Sequence, residues 1–291
     1  MSATESEVVS HRGSLRRHPG RLALVVLGGG GAALLILLPL GAVFYFALHE
    51  GWAVYARHLA DPSTRHAIWL TLLAAAVAVP VNTVFGVTAA WAVAKFQFPG
   101  RRLLISLIEL PLSIPPLVIG VAYLFVFGMQ GLFGPWLMEH DIRLVFSVPA
   151  ILIITTIVTT PFIFREVLPL MQSQGTQEEQ AAITLGASGW KTFWHVTLPN
   201  IKWALFYGVS LCFARCLGEF GSVAVVSGAI RDETNTMTLQ IELLSNDRVA
   251  TGAFALASIL SSIAVVTMLV KIWIERRGED AVDTGSEEAR N

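Results

Sequence analysis

Six uninterrupted apolar runs divide this chain, each long enough to cross a bilayer: Leu22–Leu48, Ile68–Ala94, Leu103–Phe127, Leu144–Phe164, Trp203–Val226 and Thr251–Val270. A hydrocarbon core of roughly 30 Å needs about 20 apolar residues in a helix. The runs are continuous rather than alternating in ten-residue pieces, so they read as helices and not as barrel strands. Of the 20 basic and 21 acidic residues, only Glu109, Arg215 and Glu219 fall inside them. The expectation is an all-α polytopic membrane protein with six transmembrane helices. It comprises an amino tail (1–21), a transmembrane domain (22–274) and a carboxyl tail (275–291).

Lys and Arg in the connections set the orientation. Fourteen lie on one side: Arg12, Arg16, Arg17 and Arg21 in the amino tail, then Lys95, Arg101 and Arg102, then Arg165, Lys191 and Lys202, then Lys271, Arg276, Arg277 and Arg290. The other side has Arg57, Arg65, Arg143, Arg231 and Arg248. Both termini are therefore expected in the cytoplasm. The first run has 27 apolar residues, beyond the 7–15 of a signal-peptide core, and reads as a retained anchor. Glycines 28 to 31 within it follow no strand, so close helix packing is expected there rather than a dinucleotide site.

A net charge of −1 argues against a nucleic-acid partner, which would call for a basic excess. Cys212 and Cys216 are too few for a disulfide framework. With no histidine beside them, they read as packing residues and not as metal ligands.

Prolines 80, 111, 115, 116, 149 and 161 interrupt the runs. Each removes a backbone donor and tends to kink a helix. The densest stretch is Leu110–Pro116, so the third span is expected to bend there. Two readings stay open: kinked packing, or a broken helix beside a substrate route at Pro115 and Pro116. Arg215 and Glu219 stand four residues apart, so they share a helix face. Arg215 lies about 18 Å from the start of its run, near mid-membrane, where a charge is costly unless it is paired and faces inward. The pair is read either as a structural lock or as part of an anion path or its latch. Glu109, about 9 Å into the third run, is a further candidate gate.

The connection from Arg165 to Lys202 is the one extended loop on the basic side. Gln177, Glu178 and Glu179 open a helix with negative charge at its amino end. Gly186 closes it as a left-handed C-cap. Ser188 caps a second helix carrying Trp190, Lys191, Phe193 and Trp194, and Leu198–Pro199 is expected to stop it. Two short helices bent at a glycine suit a groove on another protein; the aromatic residues would equally suit a lipid surface.

The segment Gln180-Ala181-Ala182-Ile183-Thr184-Leu185-Gly186, nine residues, then Val196-Thr197-Leu198-Pro199 resembles the EAA motif of ABC-importer permeases, E-A-A-x3-G-x9-I-x-L-P. Gln180 replaces the glutamate and Val196 the isoleucine. Stretches at His66–Thr71, Val79–Asn82, Phe98–Arg101, Ser173–Gly175 and Ala204–Val209 are similar to permeases of sulfate/thiosulfate importers. Leu217-Gly218-Glu219-Phe220-Gly221 is shared with molybdate permeases as well.

The resemblance implies a type I (MetI-like) permease of the bacterial cytoplasmic membrane. It implies coupling helices over 176–197 that dock into an ATPase subunit. The residues it assigns to that contact are Glu179, Gln180, Ala181, Ala182, Leu185, Gly186, Trp190, Phe193, Leu198 and Pro199. It also implies the partners: a second homologous permease, two ATPase copies and an extracytoplasmic sulfate/thiosulfate-binding protein facing the segment 230–244. The chain holds no cofactor of its own in this reading, and ATP and magnesium belong to the ATPase. Its nearest phosphate-loop candidate, Gly186–Thr192, lacks the glycine before lysine that such a loop requires. Molybdate or tungstate is the alternative cargo. An ion-coupled secondary anion transporter is the alternative class, and it leaves the EAA spacing unexplained.

Overall fold

The computed structural model describes the backbone of residues 19–288 and the side chains of residues 26–274. Arg12, Arg16, Arg17 and Arg290, and the side chains of Arg21, Arg276 and Arg277, which weigh on the orientation expected above, lie outside the described residues. Helices follow one another throughout. In order they are α1 (Pro19–Leu48), α2 (Trp52–Ala60), α3 (Pro62–Lys95), α4 (Arg101–Ser113), α5 (Pro116–Phe127), α6 (Gly134–Glu139) and α7 (Val148–Ser173). Then come α8 (Gln177–Thr184), α9 (Gly189–Thr192), a π-helical turn (Phe193–Thr197), α10 (Leu198–Leu217), α11 (Gly221–Ser227), α12 (Met237–Asn246) and α13 (Ala250–Glu288).

Four segments are long and apolar enough to cross a membrane unaided: Val26–Leu48, Pro62–Lys95, Val148–Ser173 and Ala250–Ile274. The third and fifth apolar runs are each broken in two. Helices α4 and α5 meet at 112°, and the helix ending at Leu217 meets α11 at 50°. The first break falls beyond Pro111, which stays inside α4. It falls at Ile114 and Pro115, both extended, with ψ of 132° and 134°. Pro116 forbids the helical conformation to the residue before it, as Pro115 does to Ile114. At 13 and 12 residues, α4 and α5 measure about 20 and 18 Å, so neither crosses a 30 Å core alone.

The fourth run also differs from its expected bounds. Its helix starts at Val148, with Pro149 in the first turn, because Phe146 turns out at φ 52° and donates its amide to the Val226 carbonyl at 3.0 Å. The helix then continues through Pro169 to Ser173. The connection therefore begins at Gln174 and not at Arg165.

Helix α7 is the centre of the bundle, with α3 and α10 against it. Without a hydrophobic force between helices in lipid, close approach depends on small residues. A Cβ added at Gly86 of α3 would lie 3.1 Å from Ile163, and one at Gly208 of α10 would lie 3.2 Å from the Cα of Ile163. Two glycines thus clamp one isoleucine. Ile163, Phe164, Val167 and Met171 form the core there with Val87, Val93, Cys212 and Cys216. A polar seam crosses the same contact. Asn82 donates to the Thr159 hydroxyl at 2.8 Å and the Thr156 carbonyl at 3.1 Å, and accepts from Thr160 at 3.1 Å.

The two broken spans meet each other. A Cβ at Gly120 of α5 would sit 2.8 Å from the Ser222 carbonyl oxygen of α11 and 3.0 Å from Val225 Cβ. Gly120→Val should therefore cost about 1–3 kcal/mol through overpacking, read as a lower melting temperature in detergent; an unchanged melt would mean that this contact is not fixed. One further expectation is corrected: among the described residues nothing lies within 4 Å of a Cβ added at glycines 28 to 31, so they make no close helix contact there. In the segment after α11, Thr234, Asn235 and Thr236 are buried, and Met237 N donates to Thr71 Oγ1 of α3 at 2.8 Å.

Candidate functional site: an exposed knob and a buried ion pair

Helices α8 and α9 project as a knob. Glu178 and Glu179 occupy the first turn of α8, opposite the partial positive charge of its amino end. Gly186 has φ 87°, and the amides of Leu185, Gly186 and Ala187 bond back to Ala181, Ile183 and Ala182 at 2.9–3.1 Å. Only a residue that tolerates the left-handed region closes a helix in this way. Ser188 Oγ accepts from Lys191 N at 3.4 Å and starts α9.

The next element does not stop at Leu198–Pro199. The helix widens to a π turn at Phe193–Thr197, Leu198 N bonds back five residues to Phe193 O, and Pro199 sits in the first turn of α10. Widening absorbs the proline's missing donor without ending the helix.

The assigned side chains divide by direction. Leu185 is 89% exposed and Trp190 70%, with Ile183 and Trp194, which were not among the expected contacts, also outward. Gln180 and Ala181 are exposed, Ala182 is half-buried and Pro199 is exposed. Phe193 turns inward instead, edge-on to Trp91 at 5.7 Å, and Leu198 packs on the same core. Four apolar side chains thus stand outward on the knob, a set that would suit a protein groove or a lipid surface.

Glu179 also points inward. Its Oε1 lies 2.7 Å from Lys95 Nζ, the last residue of α3, and accepts from Thr197 Oγ1 at 3.2 Å. Glu178 accepts from the Asn200 side chain, and Gln180 Nε2 reaches only Thr176 Oγ1, at 3.2 Å. Lys95, Thr197 and Asn200 are functional candidates that sequence reasoning missed. The one signal was a cation closing the second apolar run, and no spacing links position 95 to 179.

Arg215 and Glu219 do pair, with Nη1 to Oε2 at 2.8 Å. The pair does not lie on a straight helix. Arg215 is in the last turn of α10, and Glu219 is in the break before α11. Its other oxygen accepts from Ser222 N at 3.1 Å and Ser222 Oγ at 2.6 Å, so the carboxylate caps α11. Its carbonyl accepts from Thr238 Oγ1 of α12 at 2.8 Å. The carboxylate side chain is 1% exposed and the guanidinium side chain 31%. One charge is therefore locked inside, and the other still reaches an open space.

Pro115 and Pro116 stand at the facing break: a Cβ at Gly221 would lie 3.4 Å from Pro116 Cβ. Glu109 is half-buried on α4. Among the described residues no three His, Cys, Asp or Glu side chains gather as a metal site.

A family model described as the binding-protein-dependent transport system inner membrane component matches residues 82–279. The sulfate transport system permease protein CysW of Escherichia coli K12 is 47% identical over 261 residues, 90% of each chain. Its Synechocystis namesake is 46% identical, over 87% of this chain and 92% of its own. The sulfate transport system permease protein CysT of E. coli K12 is 35% identical over 80% and 84%. Among solved structures, a bacterial alginate ABC transporter in complex with an alginate-bound periplasmic protein aligns with TM-score 0.67 at 15% identity, covering 87% of this chain and 92% of that one. At that identity the likeness is one of fold.

Proposed function

The chain belongs to the family of binding-protein-dependent transport system inner membrane components, and from that membership we propose that it is a sulfate/thiosulfate permease subunit of an ATP-driven importer. One observation carries the cargo: two permeases named for sulfate are 47% and 46% identical to it along about nine-tenths of the chain. The remaining assignments rest on the site.

The exposed Leu185–Trp190 knob seats in a cytoplasmic ATPase subunit, present in two copies, which binds ATP and magnesium and performs the hydrolysis. A homologous second permease completes the transmembrane pore, as the paired names CysW and CysT among its relatives suggest. A binding protein delivers the anion outside the bacterial inner membrane, and both termini of this chain lie in the cytoplasm. Six spans result when each bent pair is taken as one crossing.

Sulfate is a dianion, and a cationic side chain facing a path through the low-dielectric core would favour its passage. Arg215 supplies that cation. Glu219 anchors the guanidinium against the α10–α11 break, so the positive charge is held in place when no anion is present. Closure of the ATPases moves the knob, and rigid-body rocking of the bundle alternates access between the two sides.

The test is uptake of labelled sulfate into proteoliposomes holding both permeases, the ATPase and the binding protein. ATP-dependent sulfate uptake resisting a tenfold excess of molybdate is expected. Displacement by equimolar molybdate would reassign the cargo, and failure of the chain to co-purify with an ATPase would remove the importer reading.

A further inference from the structure

Lys95 ends α3, and its ammonium is bonded on both sides of the start of α8: it donates to the Gly175 carbonyl just before the helix and pairs with Glu179 of its first turn at 2.7 Å. The two side chains are only 9% and 18% exposed, so this is a largely buried tie and not a surface ion pair of little value. Thr197 adds a third strand by donating to the same carboxylate oxygen from the π turn that leads into α10. A ring path runs in parallel. Trp190 of the knob stacks on Phe193 at 6.1 Å, and Phe193 meets Trp91 of α3 edge-on at 5.7 Å.

The far end of α3 is tied as well. Thr71 accepts from Met237 N at 2.8 Å, and His66 Nε2 lies 3.2 Å from the Glu233 carbonyl oxygen. Thr238, one residue beyond Met237, donates to the Glu219 carbonyl. A helix of 34 residues is about 51 Å long, so one rod touches the knob at one end and the neighbours of the charged break at the other.

We propose that Lys95, Glu179 and Thr197 form the fixed joint through which movement of the knob is passed to α3, and along α3 to the segment bonded to Glu219. The joint rests on the importer reading given above. Glu179 then acts as a positioning residue inside the subunit, and the exposed Gln180, not Glu179, is left facing the ATPase. In mechanical terms, the knob cannot shift against α3 while the ion pair stands. Once it is cut, ATP-driven displacement of α8 is spent in the loosened joint instead of tilting the rod.

The experiment compares wild type, Lys95→Gln, Glu179→Gln and the exchanged pair Lys95→Glu/Glu179→Lys, each in the full complex in proteoliposomes. Sulfate moved per ATP hydrolysed is the measured quantity. Couplings between sites are typically worth about 5–150-fold, so each single variant should lower that ratio about tenfold while still co-purifying with the ATPase. The exchanged pair should recover about half of the wild-type ratio, because it restores the attraction that both singles remove. An unchanged ratio in the singles, no recovery in the exchanged pair, or singles that fail to assemble with the ATPase would each overturn the joint. A wild-type complex that moves no sulfate would instead strike at the importer reading itself, so the two failures are distinguishable.

Discussion

Gly186→Val is expected to cut ATP-driven uptake at least tenfold while leaving the membrane bundle folded. Gly186 sits at φ 87° in open space, so nothing among the described residues crowds a side chain there. The cost is conformational: the left-handed region disfavours an ordinary residue by about 1–2 kcal/mol, and a β-branched residue is a genuine outlier there. The chain between α8 and α9 would relax to another path, and Leu185 and Trp190 would no longer face one groove together. Uptake should fall at least tenfold, with no change in the detergent melting temperature of the bundle.

Gly186→Asn separates the possible causes. Asparagine tolerates the left-handed region, so it should keep most of the uptake. An asparagine variant as inactive as valine would mean that close approach by the ATPase, and not backbone conformation, requires glycine. Normal uptake by the valine variant would refute the knob as the coupling element. Gly189→Ala, whose added Cβ meets nothing within 4 Å in a helical turn, serves as the silent control.

The knob was largely legible in the sequence because its determinants are local. Two acidic residues at a helix start, a glycine at its end and a serine cap fix its shape within a dozen residues, and the structure has all three in those places. The membrane-embedded half was legible only as apolar runs. A run of 25 residues and a pair of half-helices meeting at 112° have the same hydropathy, and only dihedral preferences at Ile114 and Pro115 separate them. The tie from Lys95 to Glu179 was invisible, since it joins positions 84 residues apart through tertiary packing. Phe193 is a related case: it follows Trp190 at the end of the same short helix, and only tertiary packing sets its ring edge-on to Trp91 of α3.

Arg215 and Glu219 are unequal partners, and their variants should show it. Arg215→Leu strands a carboxylate whose side chain is 1% exposed. Removing one member of a buried pair costs about 3–5 kcal/mol, and here the Ser222 bonds keep part of the charge solvated, so the lower end applies. Glu219→Gln leaves a guanidinium that is 31% exposed and is less confined than the carboxylate. The glutamine oxygen still accepts from Ser222, so α11 stays capped. Arg215→Leu should therefore melt lower than Glu219→Gln. The double leucine variant should recover only part of the lost stability, since it removes the stranded charge but also the carboxylate that accepts from Ser222 and caps α11.

Transport should not follow the same order. Loss of Arg215 removes the only cation inside the six apolar runs, so the double variant should fold, co-purify with the ATPase and move almost no sulfate. Glu219→Gln should retain uptake at a reduced rate with weaker dependence on the binding protein, because the guanidinium is no longer held between cycles. Wild-type uptake by the double variant would reduce the pair to a lock at the α10–α11 break. If stability and transport instead fall in parallel through all three variants, the pair acts on folding alone and the anion path runs elsewhere.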